Sequence, residues 1–89
     1  MAKLTAKEAI TSDKFYRKVW QGDGYALIEK YVWNKEAGRY EQHIFNPKSN
    51  EWIFVGFPCS KNIKQVEWLE ELFSKTHSTL ATDFDELSE

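Results

Sequence analysis

Residues 5–24 read TAKEAITSDKFYRKVWQGDG, and the fold turns on how this stretch is read. Thr5 with Glu8 fits a capping box, in which each side chain satisfies the other's backbone N–H at a helix start. Ser12 or Asp13 could cap a second helical segment. Within it Phe15 and Val19, and Tyr16 and Trp20, lie four residues apart, as on one face of a helix. Gly22 and Gly24 end the pattern, since glycine readily adopts the left-handed conformation found after helices. The stretch therefore predicts one N-terminal helix, interrupted near Thr11–Asp13.

Three strand candidates follow, at Tyr25–Trp33, Arg39–Phe45 and Trp52–Phe57, each rich in β-branched and aromatic residues. The linkers NKEAG and NPKSN are turn chemistry, and loops this short join antiparallel neighbours. The third candidate, in NEWIFVGFP at 50–58, is unusual. Trp52, Ile53, Phe54, Val55 and Phe57 leave no polar alternation, so both of its faces call for cover. Residues 60–77, SKNIKQVEWLEELFSKTH, form the clearest helix. Ser60 is its expected N-cap, and Ile63, Val66, Leu69, Leu72 and Phe73 line one face over Asn62–Lys75.

The fold class expected from this order is α+β: a three-stranded antiparallel meander flanked by an N-terminal and a C-terminal helix (α-β-β-β-α). Residues 1–77 form a single compact domain, and 78–89 an acidic, flexible tail. If each linker is a symmetric five-residue loop, Val32 faces Tyr40 and Ile44 faces both Ile28 and Trp52. One sheet face then carries Ile28, Val32, Tyr40, Ile44, Trp52 and Phe54, and the C-terminal helix packs on it. The other carries Tyr31, Trp33, Arg39, Glu41 and His43. A loop one residue longer or shorter exchanges the two faces, because side chains alternate along a strand.

Length and composition limit the function. Eighty-nine residues support one small core, and aromatic residues at 16% supply large buried area per side chain. One cysteine, Cys59, excludes an intrachain disulfide, which together with the absence of an apolar leader points to the cytoplasm. No apolar run approaches membrane-spanning length, so no membrane association is expected. The net charge of −2 conceals an asymmetry. Asp83, Asp85, Glu86 and Glu89 give the tail its acidity, while the rest of the chain is mildly basic. Such a tail can shield a basic surface, or fold on a partner through Leu80, Phe84 and Leu87.

Chemistry is sparsely represented. His43 and Cys59 are the sole nucleophile–base candidates, and they read more simply as a surface strand residue and a small buried hydrophobe. The clustered carboxylates Glu70 and Glu71 lie on a helix surface without the desolvation that acid–base work needs. No metal-ligand spacing and no phosphate-binding loop is present, so neither metal nor cofactor is expected and the chain reads as non-enzymatic. Its expected role is that of a small protein-binding or regulatory module. The contact patch comprises Trp20, Tyr31, Trp33, Arg39, Glu41 and His43, aromatic anchors among charges of both signs. The same patch could close a homodimer.

The stretch from Gly38 to Phe73 supports a second reading. A hairpin, a strand ending in Gly-Phe and an amphipathic helix together resemble the three-strand-plus-helix DNA-binding domains of plant ethylene-response factors and phage integrase arms. That resemblance implies DNA contact from the sheet face opposite the helix, with Trp33 and Arg39 in comparable places. The helix–three strands–helix order is also similar to double-stranded RNA-binding domains, with Lys61 and Lys64 near the start of the second helix. Nucleic acid is therefore the alternative partner.

Overall fold

The computed structural model describes residues 4–20, 24, 26–58, 65–75 and 77–87. The elements run α1 (Ala6–Ile10), β1 (Lys14–Trp20), β2 (Ala26–Asn34), β3 (Arg39–Asn46), β4 (Glu51–Gly56), α2 (Gln65–Lys75), β5 (Ser78–Ala81) and α3 (Phe84–Leu87). The strands form one antiparallel sheet in the order β4-β3-β2-β1-β5. The expected three-stranded meander is present as β2-β3-β4, but it is the larger part of a five-stranded sheet, and three small helices replace the two flanking ones.

The first correction falls on residues 14–20. α1 begins as expected, with the complete Thr5–Glu8 capping box, and it ends at Ile10. The second helical segment is instead β1, which pairs with β2 from Lys14↔Val32 to Trp20↔Ala26. The reason lies in the spacing. Residues four apart share a face in a helix and in a strand alike, so the Phe15/Val19 and Tyr16/Trp20 pairs satisfy both periods. Phe15, Arg17 and Val19 point to one side of the sheet, and Tyr16, Lys18 and Trp20 to the other. Five consecutive residues, Phe15 to Val19, are buried, because β1 lies inside the sheet and is covered on both faces.

The second correction is β5, which falls inside the stretch expected to be a tail. Ser78–Ala81 pairs antiparallel with the outer side of β1, Arg17 facing Leu80 and Tyr16 facing Ala81. Leu80, Ala81 and Leu87 are buried. Two aliphatic residues and an alanine thus anchor a segment whose composition is dominated by its acids.

The third correction is the register. Asn34 pairs with Arg39 and Asn46 with Glu51, so each turn holds four residues rather than five. The asparagines that look like loop residues close the ladders. Asn34 Oδ1 accepts from the Ala37 N–H at 2.9 Å and Asn46 Oδ1 accepts from the Lys48 N–H at 3.0 Å, local turns that a short carboxamide or carboxylate makes readily. Each turn ends on a residue with positive φ, Gly38 (67°) and Asn50 (58°). The shorter loops exchange the faces: Trp33 faces Tyr40, Glu29 faces Ile44, and Ile44 faces Ile53.

The helices pack on the Tyr40 and Ile44 side of β3, as expected, but β2 and β4 are turned over relative to β3, so Tyr31 and Ile53 rather than Ile28 and Phe54 share that face. Phe15, Tyr31, Tyr40 and Leu80 form the main core with Ala6 and Ala9 of α1 and Leu69 of α2, and Trp33, Trp68 and Phe73 pack around them. Phe15 stacks on Tyr31 at 5.0 Å between centroids and meets Tyr40 edge-on at 5.3 Å, both favourable aromatic geometries. On the other face α3 seats Phe84 against Tyr16, Phe45 and Trp52. Ile28, expected beneath the C-terminal helix, lies on this second face. The expected N-cap Ser60 and the first turn from Asn62 lie outside the described residues, as do Cys59 and Gly22.

Candidate functional site

β4 ends the sheet, and among the described residues no strand pairs with its outer side. Its side chains are poorly covered on both faces: Ile53, Phe54 and Val55 are 51%, 52% and 51% exposed. Ile53 shares the helix-bearing face through its pairing with Ile44, and Phe54 the opposite face through His43. Val55 is the extra residue of a bulge, because Gln42 pairs with Gly56 while His43 pairs with Phe54. Gly56 relaxes the bulge at φ 142°, a value that L side chains rarely adopt. Three consecutive exposed apolar residues on an open edge are uncommon, since soluble proteins usually guard such edges with charge, proline or a covering loop. The double-sided apolar character of NEWIFVGFP was therefore a true signal: neither face of this strand receives much cover from the described chain.

The six residues expected to form a contact patch are divided between the two faces. Tyr31 is buried between Phe15 and Trp68, and Trp33 packs edge-on against Tyr40 at 4.9 Å beneath the helices. Trp20, 46% exposed, stands at the end of β1 on the opposite side, with Lys18 Nζ 4.4 Å from its ring centre. Arg39, Glu41 and His43 also lie there. Arg39 covers the Phe57 ring at 4.4 Å, and His43 meets Phe54 edge-on. Glu41 contacts His43 Nε2 at 3.1 Å and accepts from Asn34 Nδ2 at 2.7 Å; these hydrogen bonds, that to His43 first, hold its pKa below the ordinary carboxylate value. The sheet thus brings Arg39, Glu41 and His43 together next to the exposed Phe54, buries Tyr31, and half-buries Trp33 on the opposite face. Ile53, Phe54 and Val55 are the surface residues that the expected patch lacked.

A polar cluster lies within the sheet. Glu29 Oε1 accepts from Arg17 Nε and from the Tyr31 hydroxyl, each at 2.8 Å, and Glu29 Oε2 accepts from Gln42 Nε2 at 3.1 Å. Both members of the ion pair are buried. Register makes the cluster: Arg17 faces Glu29 across β1–β2, and Tyr31 faces Gln42 across β2–β3. Burial, reinforced by the charge of Glu29, pushes the Tyr31 hydroxyl far up, so it remains a donor at every ordinary pH. Three groups fix both carboxylate oxygens, which suits a structural brace.

Tyr40 has a second anchoring role. Its hydroxyl donates to the Ser12 carbonyl at 2.7 Å, with the Ile10 carbonyl at 3.0 Å, tying the end of α1 to the sheet. Burial first, and then the charge of Asp13, push its pKa up to about 12. The raised value stabilises the fold fully below the unfolded tyrosine pKa, about 10, and that contribution disappears as pH rises to about 12. Thermal denaturation followed by circular dichroism should therefore show stability falling from pH 10 to 12, and less steeply in Tyr40→Phe.

Among the described residues no group of three or more His, Cys, Asp or Glu side chains is placed to hold a metal ion, and no helix is long and apolar enough to cross a membrane. No protein-family model, curated protein or solved structure matches this chain.

Proposed function

We propose that the protein is a small, non-enzymatic binding module of the cytoplasm, acting by strand addition: an extended segment of a partner protein pairs with the open edge of β4. One observation carries the reading, the exposed run Ile53-Phe54-Val55 on an edge strand. Main-chain hydrogen bonds along such an edge supply affinity, and alternate side chains supply specificity. Ile53 and Phe54 point to opposite faces, so an added strand would gain apolar contacts on both sides of its backbone. Arg39 over Phe57, and the His43 ring against Phe54, give one side of that edge a polar border.

The test is affinity capture from native lysate, with and without nuclease, comparing the parent protein with an Ile53→Asp/Val55→Asp variant of unchanged circular dichroism. The parent is expected to retain a protein partner through moderate salt, and the variant to lose it. A partner retained equally by both removes β4 from the interaction, and capture that vanishes with nuclease overturns the protein-binding reading. Retention of a second copy of this chain, with a concentration-dependent mass in solution, would identify self-association as the use of the same edge.

A further inference from the structure

We propose that the sheet face opposite α1 and α2 binds single-stranded nucleic acid, on a surface that shares Phe54, His43 and Arg39 with the β4 edge but not Ile53 or Val55. The register assembles this face from cations and rings. One row across the strands is Tyr16, Lys30, His43, Phe54; the neighbouring row is Lys18, Ile28, Phe45, Trp52; Tyr16 and Lys18 are themselves buried, and Phe54 is the exposed ring of the two rows. Lys14 and Arg39 lie at the end of the sheet nearer the first row. Four ammonium or guanidinium groups rest over rings on this side: Lys14 over Tyr16 at 5.7 Å, Lys18 over Trp20 at 4.4 Å, Lys30 over Trp52 at 4.6 Å and Arg39 over Phe57 at 4.4 Å. Among the described strand residues of this face Glu41 is the one carboxylate, and it is engaged by Asn34 and His43.

A surplus of cations interleaved with aromatic rings is the chemistry of a stacking platform for unpaired bases, with the cations tracking the phosphates. A duplex hides its bases from such a surface. The like charges also crowd one another: desolvation, and then the charge of Lys14, hold the Lys30 pKa below its ordinary value. A polyanion would relieve that repulsion. The chain itself displays the kind of group the face accepts. α3 seats the flat ring of Phe84 among Tyr16, Phe45 and Trp52, in a segment that also carries Asp83, Asp85 and Glu86. Beside it lies a pocket of about 300 Å³ whose lining includes Lys18, Ile28, Phe45 and Phe84, offering apolar walls and one ammonium to a planar ring. The acidic segment thus covers one corner of the platform and leaves the Lys14, Lys30 and Phe54 side uncovered.

Fluorescence anisotropy with a labelled oligothymidylate of about twelve nucleotides tests this. With Lys14, Lys30 and Arg39 as the phosphate contacts, tenfold more salt should weaken binding about 100-fold. Lys14→Gln/Lys30→Gln should weaken binding at low salt and reduce the salt dependence to about fivefold per tenfold salt. Phe54→Ala should weaken binding about tenfold without changing the salt dependence. Ile53→Asp, on the other face, should bind as the parent does. Asp83→Asn/Asp85→Asn/Glu86→Gln should bind more tightly, since the competing acidic segment loses its charge. No binding at low salt overturns the proposal, as does parent-like binding by Lys14→Gln/Lys30→Gln. Equal affinity for a labelled polyglutamate peptide also overturns it, and would assign the face to an acidic protein segment.

Discussion

Glu29→Ala should lower the stability of the domain by about 3–5 kcal/mol, the usual consequence of removing one member of a buried ion pair. The carboxylate receives Arg17, Tyr31 and Gln42 at once. Alanine takes that acceptor from a buried guanidinium and from a phenol that burial keeps protonated. A loss of this size is a large part of the total stability of a small domain, typically about 5–15 kcal/mol. Urea denaturation measures it. The paired change Arg17→Met/Glu29→Leu should be much less harmful than Glu29→Ala, because it removes both charges from the interior. If Glu29→Ala unfolds at the parent's urea concentration, the cluster is not a brace.

Leu69→Ala should cost about 2–5 kcal/mol, the range for deleting a buried leucine side chain when the cavity cannot collapse. Leu69 is fully buried where α2 meets the Phe15, Tyr31 and Tyr40 rings. Those rings are fixed by stacking, by the Glu29 hydrogen bond and by the Tyr40 tie to Ser12, so the site has little freedom to refill. Differential scanning calorimetry of the single variant measures the loss. A change below 1 kcal/mol would mean that α2 is only loosely held.

These two residues illustrate what the sequence does and does not reveal. Leu69 is legible: Val66, Leu69, Leu72 and Phe73 follow helical spacing, and the helix was expected there. The strands β2, β3 and β4 are legible for a similar reason, since their aromatic and β-branched runs are separated by Asn, Gly and Pro chemistry. Glu29 is not legible as a core residue. Its burial depends on which face of β2 receives the helices, and one residue of turn length decides that. Asn34 and Asn46 could each have been the first turn residue or the last strand residue, and composition does not separate the two. β1 was lost because four-residue spacing suits both periods, although Arg17 midway between Phe15 and Val19 is the residue that a strand, but not that helical stripe, would place beside them. β5 was lost because a four-residue strand with one large apolar side chain, Leu80, carries almost no local pattern; its existence is decided by the open side of β1.

The candidate surfaces divide the same way. The apolar run of β4 announces itself in the sequence, because a strand without alternation must be covered twice or left exposed. The expected patch of six residues depended on the register, so the turning of β2 relative to β3 left Tyr31 buried and Trp33 half-buried on one face, and Trp20, Arg39, Glu41 and His43 on the other. The resemblance of Gly38–Phe73 to three-strand-plus-helix DNA-binding domains places Trp33 and Arg39 on one reading face, whereas the structure sets them on opposite faces. The face opposite α2 is nonetheless the cation-rich one.

The pairing of β5 with β1 sets an order of events during synthesis. β1 to β4 are neighbours in sequence as well as in space, so they can zip together as successive hairpins while the chain is still emerging. Arg17 must wait for Leu80, and closing such a distant contact is slow because its loop entropy precedes any reward. Until then the growing chain exposes two open sheet edges, one at β4 and one at β1, with Phe15 and Tyr16 close to the second. A nascent or truncated chain in that state is the species most prone to pair with its own kind. β5 therefore replaces the seven-residue edge of β1 with a four-residue one, on which the Leu80 carbonyl is already taken by the Leu4 N–H.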